Sequence, residues 1–224
     1  MKNISGAAKG QRGFTLIEIA IVLVIVGLLL GGVLQGQQLI ENSRVRAAVN
    51  DFRAISAATF SYMDTYSRLP GDDGPTLVAL TGRGGEWATV TLFGNTDGQI
   101  GGVATTAFGP TSGEGLAFWS HLRAGGFISG SETATGAAAL PGNPFGGVIG
   151  IASDAAVGLA AGRTKLCMNG VPGTAALAID LEMDDGLPHT GVVRAGTNAA
   201  VAAPTAALGV AYVQATPYIL CYRL

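Results

Sequence analysis

Residues 14–34 read Phe-Thr-Leu-Ile-Glu-Ile-Ala-Ile-Val-Leu-Val-Ile-Val-Gly-Leu-Leu-Leu-Gly-Gly-Val-Leu, 21 residues with a single charge, Glu18. As a helix this run is about 30 Å long, enough to cross the hydrocarbon core of a bilayer. The 13 residues before it carry Lys2, Lys9 and Arg12 and no acid. Positive charge ahead of an apolar span keeps the N-terminus in the cytoplasm and sends the rest of the chain outward. A plain secretory signal would have a shorter apolar core and a small-residue cleavage site behind it. Here no Pro, turn or Ala-x-Ala site ends the span, and the helical pattern runs on beyond it.

Composition narrows the class further. The 224 residues include 35 Gly and 35 Ala, 12% are charged, 48% are hydrophobic and the net charge is −2. So apolar a chain is not intrinsically disordered. Near-neutral charge without an extended basic run argues against nucleic-acid binding. Gly has no three-residue period, which excludes collagen. The apolar residues concentrate near the start, which argues against a multi-span membrane protein.

Glu18 needs a reason. An acid at the centre of a membrane helix costs about 2.5–3.5 kcal/mol on insertion scales, and less toward one end. Two readings stand: a carboxylate that snorkels to the headgroups, or one that awaits a positive partner absent from the membrane. Lys9-Gly10-Gln11-Arg12-Gly13 followed by Phe14-Thr15-Leu16-Ile17-Glu18 resembles the prepilin signal of type IV pilins and type II secretion pseudopilins. The resemblance implies cleavage after Gly13 by a prepilin peptidase/N-methyltransferase and methylation of the new terminal Phe14. It further implies that Glu18 pairs with the terminal amine of an adjacent pilin subunit during assembly, in a homo- or hetero-filament. The precursor would then be a single-pass protein of the bacterial inner membrane, and the product a periplasmic or extracellular filament. Segments Gly31–Ile40, Tyr66–Asp72, Phe118–Gly126 and Met183–Gly186 resemble a subgroup of large pilin-like proteins. Many type IVa pilins place a helix-kinking Pro near the position of Gln35. This chain has instead Gly27, Gly31, Gly32 and Gly36.

Beyond the span, Val45, Val49, Phe52, Ser56, Thr59, Met63 and Tyr66 recur at three- and four-residue spacing, with Ala48 and Ile55 beside them. That is the stripe of a helix packed on a domain. Arg68-Leu69-Pro70-Gly71 should end it. Residues 67–224 are rich in Gly, Ala, Thr and Pro, with turn signals at Pro70-Gly71, Gly94-Asn95, Asp97-Gly98, Pro141-Gly142, Asn169-Gly170 and Pro172-Gly173. Between them, Gly147–Ala152, Ala175–Leu181, Gly191–Ala195, Leu208–Val213 and Tyr218–Tyr222 read as strands, and Glu114–Ala124 as a short helix. Ala199–Ala207 reads as an Ala-rich loop. The expected fold is α+β and pilin-like: a long N-terminal helix, its hydrophobic half protruding, packed on a C-terminal antiparallel β-sheet domain. The expected divisions are a cleaved leader at 1–13, a transmembrane and assembly helix at 14–35, the amphipathic second half of the helix at 36–66, and a globular head at 67–224.

Two cysteines, Cys167 and Cys221, lie in the exported part. An even count outside the cytoplasm suggests a disulfide, with two buried thiols as the alternative. A C-terminal disulfide loop also agrees with the pilin resemblance. The residues for catalysis are sparse. Only His121 and His189 offer an imidazole, His121 inside an aromatic helix and His189 in a Pro-containing turn, and no GxSxG, HExxH or Walker-type motif occurs. The sequence therefore reads as non-enzymatic, with no catalytic residue and no cofactor. Asn95, Asp97 and Gln99 around Gly98, together with Asp184-Asp185 and Asp72-Asp73, offer oxygen ligands for a structural calcium. The competing reading is that these residues simply make turns. The functional expectation is a structural subunit of a type IV pilus-like or type II secretion pseudopilus filament. The alternatives are a minor or tip pilin whose head binds a surface or partner protein, and a membrane-anchored binding protein that does not assemble.

Overall fold

The computed structural model describes residues 15–101, 106–196 and 211–224. Gly13, Phe14 and the Ala199–Ala207 loop lie outside the described residues. Helix α1 runs from Leu16 to Tyr66, 51 residues and about 77 Å at the standard rise. Two units divide the chain, Met1–Glu41 and Asn42–Leu224.

Within the first unit the described side chains are almost all exposed, including the large apolar ones from Leu16 to Leu34. From Leu16 to Leu34 the chain thus forms one helix that, Glu18 apart, is apolar on every side. That matches burial in lipid or among other helices rather than on a core of its own. No Pro interrupts α1, and its four N-terminal glycines do not break it.

In the second unit, α1 turns amphipathic. Val45, Ala48, Val49, Phe52, Ile55, Ala58 and Tyr62 are buried. The last turns differ from the expected stripe: Met63 is exposed, Tyr66 is half-buried and Tyr62 occupies the core. A 3.6-residue helix drifts against a fixed three-and-four pattern, so the buried line passes from Thr59 to Tyr62. The helix ends at Tyr66 because Ser67 adopts a left-handed conformation (φ 54°), with its N–H bonded to Met63 O at 2.8 Å.

The second unit contains short helices α2 (Leu77–Thr81), α3 (Gly113–Ala124) and α4 (Gly173–Met183), and strands β1 (Ile149–Ala152), β2 (Lys165–Pro172), β3 (Val193–Gly196) and β4 (Pro217–Arg223). The strands form one antiparallel sheet in the order β1-β2-β4-β3. The architecture is therefore a long N-terminal helix followed by a small four-stranded antiparallel sheet, an α+β pilin-like arrangement.

The sheet buries both faces, and the strand period of two sorts its residues. Leu166 and Met168 of β2, Val193 and Ala195 of β3, and Tyr218 and Leu220 of β4 join the α1 face in the main core, where Phe52 meets Tyr222 at a ring separation of 5.9 Å. Cys167, Ile219 and Cys221 face the other way, onto Ala107, Ala152, Ala156, Val157 and Leu159. The register places Cys167 opposite Cys221. Lys165 also enters the protein. Its side chain is fully buried, and its ammonium donates to Ser153 O (3.1 Å), Asp154 O (3.0 Å) and Arg163 O (2.7 Å). Three donors meet three acceptors, so the buried amine is fully satisfied.

Two strand expectations are corrected. Ala175–Leu181 is helical, part of α4. An Ala-rich apolar run without strict alternation suits either a buried strand or a buried helix, and Ala's high helix propensity decides it here. Of Leu208–Val213, the described residues 211–213 form no strand. The Val213 N–H instead donates to the Tyr218 hydroxyl at 2.9 Å. Strand β2 was not expected at all, because Asn169-Gly170 reads as a turn. In the structure the ladder with β4 shifts between Met168 and Val171, so the two residues form an irregularity inside one strand.

Candidate functional site

At the start of α1, Thr15 and Glu18 bond reciprocally. Glu18 Oε2 accepts the Thr15 N–H at 2.8 Å and its hydroxyl at 2.7 Å, while the Glu18 N–H donates to Thr15 Oγ1 at 3.3 Å. This is a capping box: a Thr cap and a Glu three residues on satisfy donors that the first helical turn leaves open. The positive end of the helix also favours a carboxylate there. Glu18 thus has a defined place within its own chain, on an exposed and otherwise uncharged stretch. Farther along, a Cβ added at Gly27, Gly31, Gly32 or Gly36 would meet nothing within 4 Å. Each Gly costs about 1 kcal/mol of helix propensity relative to Ala, and no close contact among the described residues explains that cost. The spacing gives two Gly-x-x-x-Gly pairs, Gly27 with Gly31 and Gly32 with Gly36.

The described part of α1 is long and apolar enough, by length and composition, to cross a membrane. Residues 8–34 match the family described as the prokaryotic N-terminal methylation motif. The chain carries the prepilin signal of type IV pilins and pseudopilins. The match includes Gly13, Phe14 and Glu18, and it ends where the apolar run of this pilin-like chain ends. No curated protein matches the chain. The signal supports a type IV pilin-like or pseudopilin subunit and suggests a membrane-anchored precursor.

In the head, Cys167 and Cys221 form a disulfide with an S–S distance of 2.11 Å and Cα atoms 4.0 Å apart, 54 positions apart in sequence. It joins neighbouring strands β2 and β4.

The two groups of weak metal candidates prove to be different objects. Asn95 and Asp97 share the loop that follows Gly94. The Asp97 N–H donates to Asn95 Oδ1 (3.0 Å) and the Gln99 N–H to Asp97 Oδ1 (2.8 Å), the side-chain-to-backbone bonds of Asx turns. Buried carboxylates hold this loop from beneath. Asp72 accepts the amides of Asp97 (3.1 Å) and Gly98 (2.7 Å), and Glu114 of α3 accepts those of Asn95 (2.9 Å) and Gly101. The approach is close: Gly71 sits at φ 92°, where a Cβ would lie 2.7 Å from Glu114 O. His121 clips the same region. Its Nδ1 accepts the Gly71 N–H at 3.1 Å, and its Nε2 lies 3.0 Å from Leu92 O, which fixes the proton on Nε2. Burial lowers its pKa below the ordinary imidazole value, and the carbonyl of Leu92 opposes that shift. His121 is therefore a buried structural clip.

Beside it, Asp73 accepts from the Tyr62 hydroxyl (2.6 Å) and pairs with Arg83 (2.9 Å). The Arg83 guanidinium lies over the rings of Tyr66 and Trp87, 4.4 and 4.5 Å from their centroids. Arg83, in the loop after α2, thereby joins Tyr66 at the end of α1 to Asp73 and Trp87 through one ion pair and two cation–π contacts.

Asp184 and Asp185 belong to the end of α4. Asp184 Oδ2 accepts the amides of Val192 and Val193, the latter at 3.0 Å. Asp185 accepts the Leu187 amide at 2.9 Å and the Thr190 hydroxyl. The structure adds a residue that the sequence reading missed, Asp180. It is fully buried, and its Oδ2 accepts the Tyr212 hydroxyl at 2.7 Å. Burial raises its pKa to about 6. The Tyr212 hydroxyl and the nearby Gly186 amide oppose the rise, and Asp185 and Asp184 add to it.

Proposed function

We propose that the chain is a structural subunit of a type IV pilus-like or type II secretion pseudopilus filament. The observation that carries this reading is the methylation motif at residues 8–34 continuing without a break into a 51-residue helix whose apolar N-terminal part is exposed. Such a surface is stable in lipid, and it is equally stable against copies of itself. A prepilin peptidase cleaves after Gly13 and methylates Phe14. The leader takes Lys2, Lys9 and Arg12 with it, leaving 10 basic against 15 acidic side chains. On extraction, apolar helices replace lipid, and the four glycines of α1 allow helices to approach closely. Glu18 exchanges its bonds to Thr15 for the terminal amine of a neighbouring subunit. A buried carboxylate is tolerated once it is paired, and only the correct stagger pairs both charges.

The test is a Glu18→Leu variant expressed with its assembly machinery. It should insert in the membrane, lose its leader and be missing from sheared filaments. Normal incorporation of that variant would refute the pairing role. Mass spectrometry of filament protein should give a chain beginning at N-methyl-Phe14, and an intact Met1–Gly13 there would refute the processing. The amount of the chain in those filaments separates a main subunit from a minor one.

A further inference from the structure

A cavity of about 330 Å³ opens between the second half of α1, the end of α3 and the start of β1. That volume is at the small end of ligand pockets, which run from about 300 to 1,000 Å³. From α1 come Asp51, Ala54 and Ile55, which share one helix face at three- and four-residue spacing. Arg123, in the last turn of α3, lines the same cavity, and Ile128 and Ile149 extend its aliphatic wall. Among the described residues, neither Asp51 nor Arg123 forms an ion pair, with the other or with any third group.

The guanidinium is held rigidly. Arg123 is only 9% exposed; its Nε donates to Ser129 O at 3.2 Å and its Nη2 to Ala139 O at 2.6 Å. Gly130, at φ 119°, passes so close that a Cβ there would lie 2.6 Å from Nε. A guanidinium has five N–H donors, and Nη1 has no partner among the described residues. A charged side chain is seldom buried unless it is paired. Asp51 is half-buried and likewise has no hydrogen bond among the described residues. Burial penalises both charges. It raises the Asp51 pKa and lowers that of Arg123, the latter against the pull of Glu132. The two carbonyls account for the position of Arg123 but leave two opposite charges unmet in one cavity.

We propose that this cavity binds a small zwitterion with an aliphatic body, a free amino acid of the leucine type, its carboxylate on Arg123 and its ammonium on Asp51. The planar fork of an Arg matches a carboxylate, and a carboxylate accepts strong charge-assisted bonds from an ammonium. One such ligand meets both charges at once, which a simple anion or cation cannot do. The ligand's side chain would lie against Ile55, Ile128 and Ile149, where its apolar surface leaves water. The site lies within the second unit, so its occupation would not require assembly.

The experiment uses the full chain in detergent and radiolabelled L-leucine in equilibrium dialysis. Leucine should bind saturably at about one per chain, with a dissociation constant on the order of 0.1–1 mM, as suits so small a ligand. N-acetyl-leucine lacks the ammonium and leucinamide lacks the carboxylate, and each should compete about 10-fold more weakly or worse, because one protein charge is then left unmet. These two competitors test the unaltered chain, so the outcome does not depend on a variant folding. Asp51→Asn should weaken leucine by about 10-fold. Ala54→Phe, at an exposed position of α1 that lines the cavity, should abolish binding with both charges still in place. Asp64→Asn, on α1 outside the cavity, should leave binding unchanged. Circular dichroism on each variant shows that the fold is retained. No saturable binding up to about 10 mM leucine would overturn the proposal. So would a competitor lacking one charge that binds as well as leucine, or binding indifferent to Asp51→Asn or to Ala54→Phe.

Discussion

Reducing the Cys167–Cys221 bond should lower the stability of the head by about 4 kcal/mol. The perturbation leaves every side chain in place and changes only the connection between two strands. In the native sheet those strands are already held by the ladder that pairs Leu166 with Tyr222 and Met168 with Leu220, so most of the effect falls on the unfolded chain. With the two cysteines 54 positions apart, the loop-closure entropy comes to about 14 cal/mol/K, or ~4 kcal/mol at 25 °C. For a unit of this size 1 kcal/mol shifts the melting temperature by about 2–4 °C, so the expected loss is about 8–16 °C. Both cysteines are fully buried. The protein should therefore be unfolded in denaturant with a phosphine reductant and refolded with the reductant present. Oxidised and reduced forms are then compared by calorimetry or by circular dichroism. Melting temperatures that agree within about 2 °C would refute the reasoning, because the unfolded chain would then gain nothing from the missing crosslink.

Replacing Arg83 with Ala should cost about 3–5 kcal/mol. It leaves the nearly buried Asp73 without its cation and removes the guanidinium from between Tyr66 and Trp87, and a denaturant midpoint measures the loss. Glu114→Gln should release the loop carrying Asn95 and Asp97, since an amide accepts the Asn95 and Gly101 N–H groups more weakly than a carboxylate. Hydrogen exchange at those amides should accelerate while the sheet stays protected. The pH response has two opposing parts. His121 is held neutral, so the unfolded chain binds its proton first and stability should fall as pH drops through about 6.5. Asp180 has the reverse sign. Its folded pKa of about 6 lies above the unfolded value, so the folded chain binds that proton first and gains stability as pH falls from about 6 toward 4. Asp180→Asn should remove this second component, leaving a steeper acid loss in melts taken from pH 7 to pH 4.

The long N-terminal helix was legible because two signals coincide: an apolar run of membrane length and the basic residues ahead of it. Strand β4 was legible too, since Tyr218, Leu220 and Tyr222 alternate with Ile219 and Cys221. The failures have local causes. Asn169-Gly170 carries a strong turn signal, yet in the sheet it is absorbed as an irregularity within β2, which neighbouring strands hold on both sides. Ala175–Leu181 has no amphipathic pattern because α4 is covered on much of its surface, so periodicity could not separate helix from strand. That error also hid Asp180. Read as a strand, the segment turns Asp180 and Asp184 into unrelated acids. Read as a helix, it sets them four residues apart on one face, and Asp-x-x-x-Asp-Asp becomes a recognisable grouping. The Thr15–Glu18 capping box was present in the sequence as Thr-x-x-Glu before an apolar run, but the charge of Glu18 drew the reading toward a partner outside the chain.

Lys165 has a practical consequence. The chain contains three lysines, Lys2, Lys9 and Lys165, and the proposed cleavage after Gly13 would remove the first two. The third is sealed inside the head with its amine bonded to three carbonyls. Such a chain would keep, besides the buried Lys165, only the amine at its new terminus. Amine labelling of the unassembled protein in detergent would therefore report its maturation state, because in a filament that amine is the proposed partner of Glu18. Any dye or crosslinker attached this way would sit at the start of α1 and nowhere on the head.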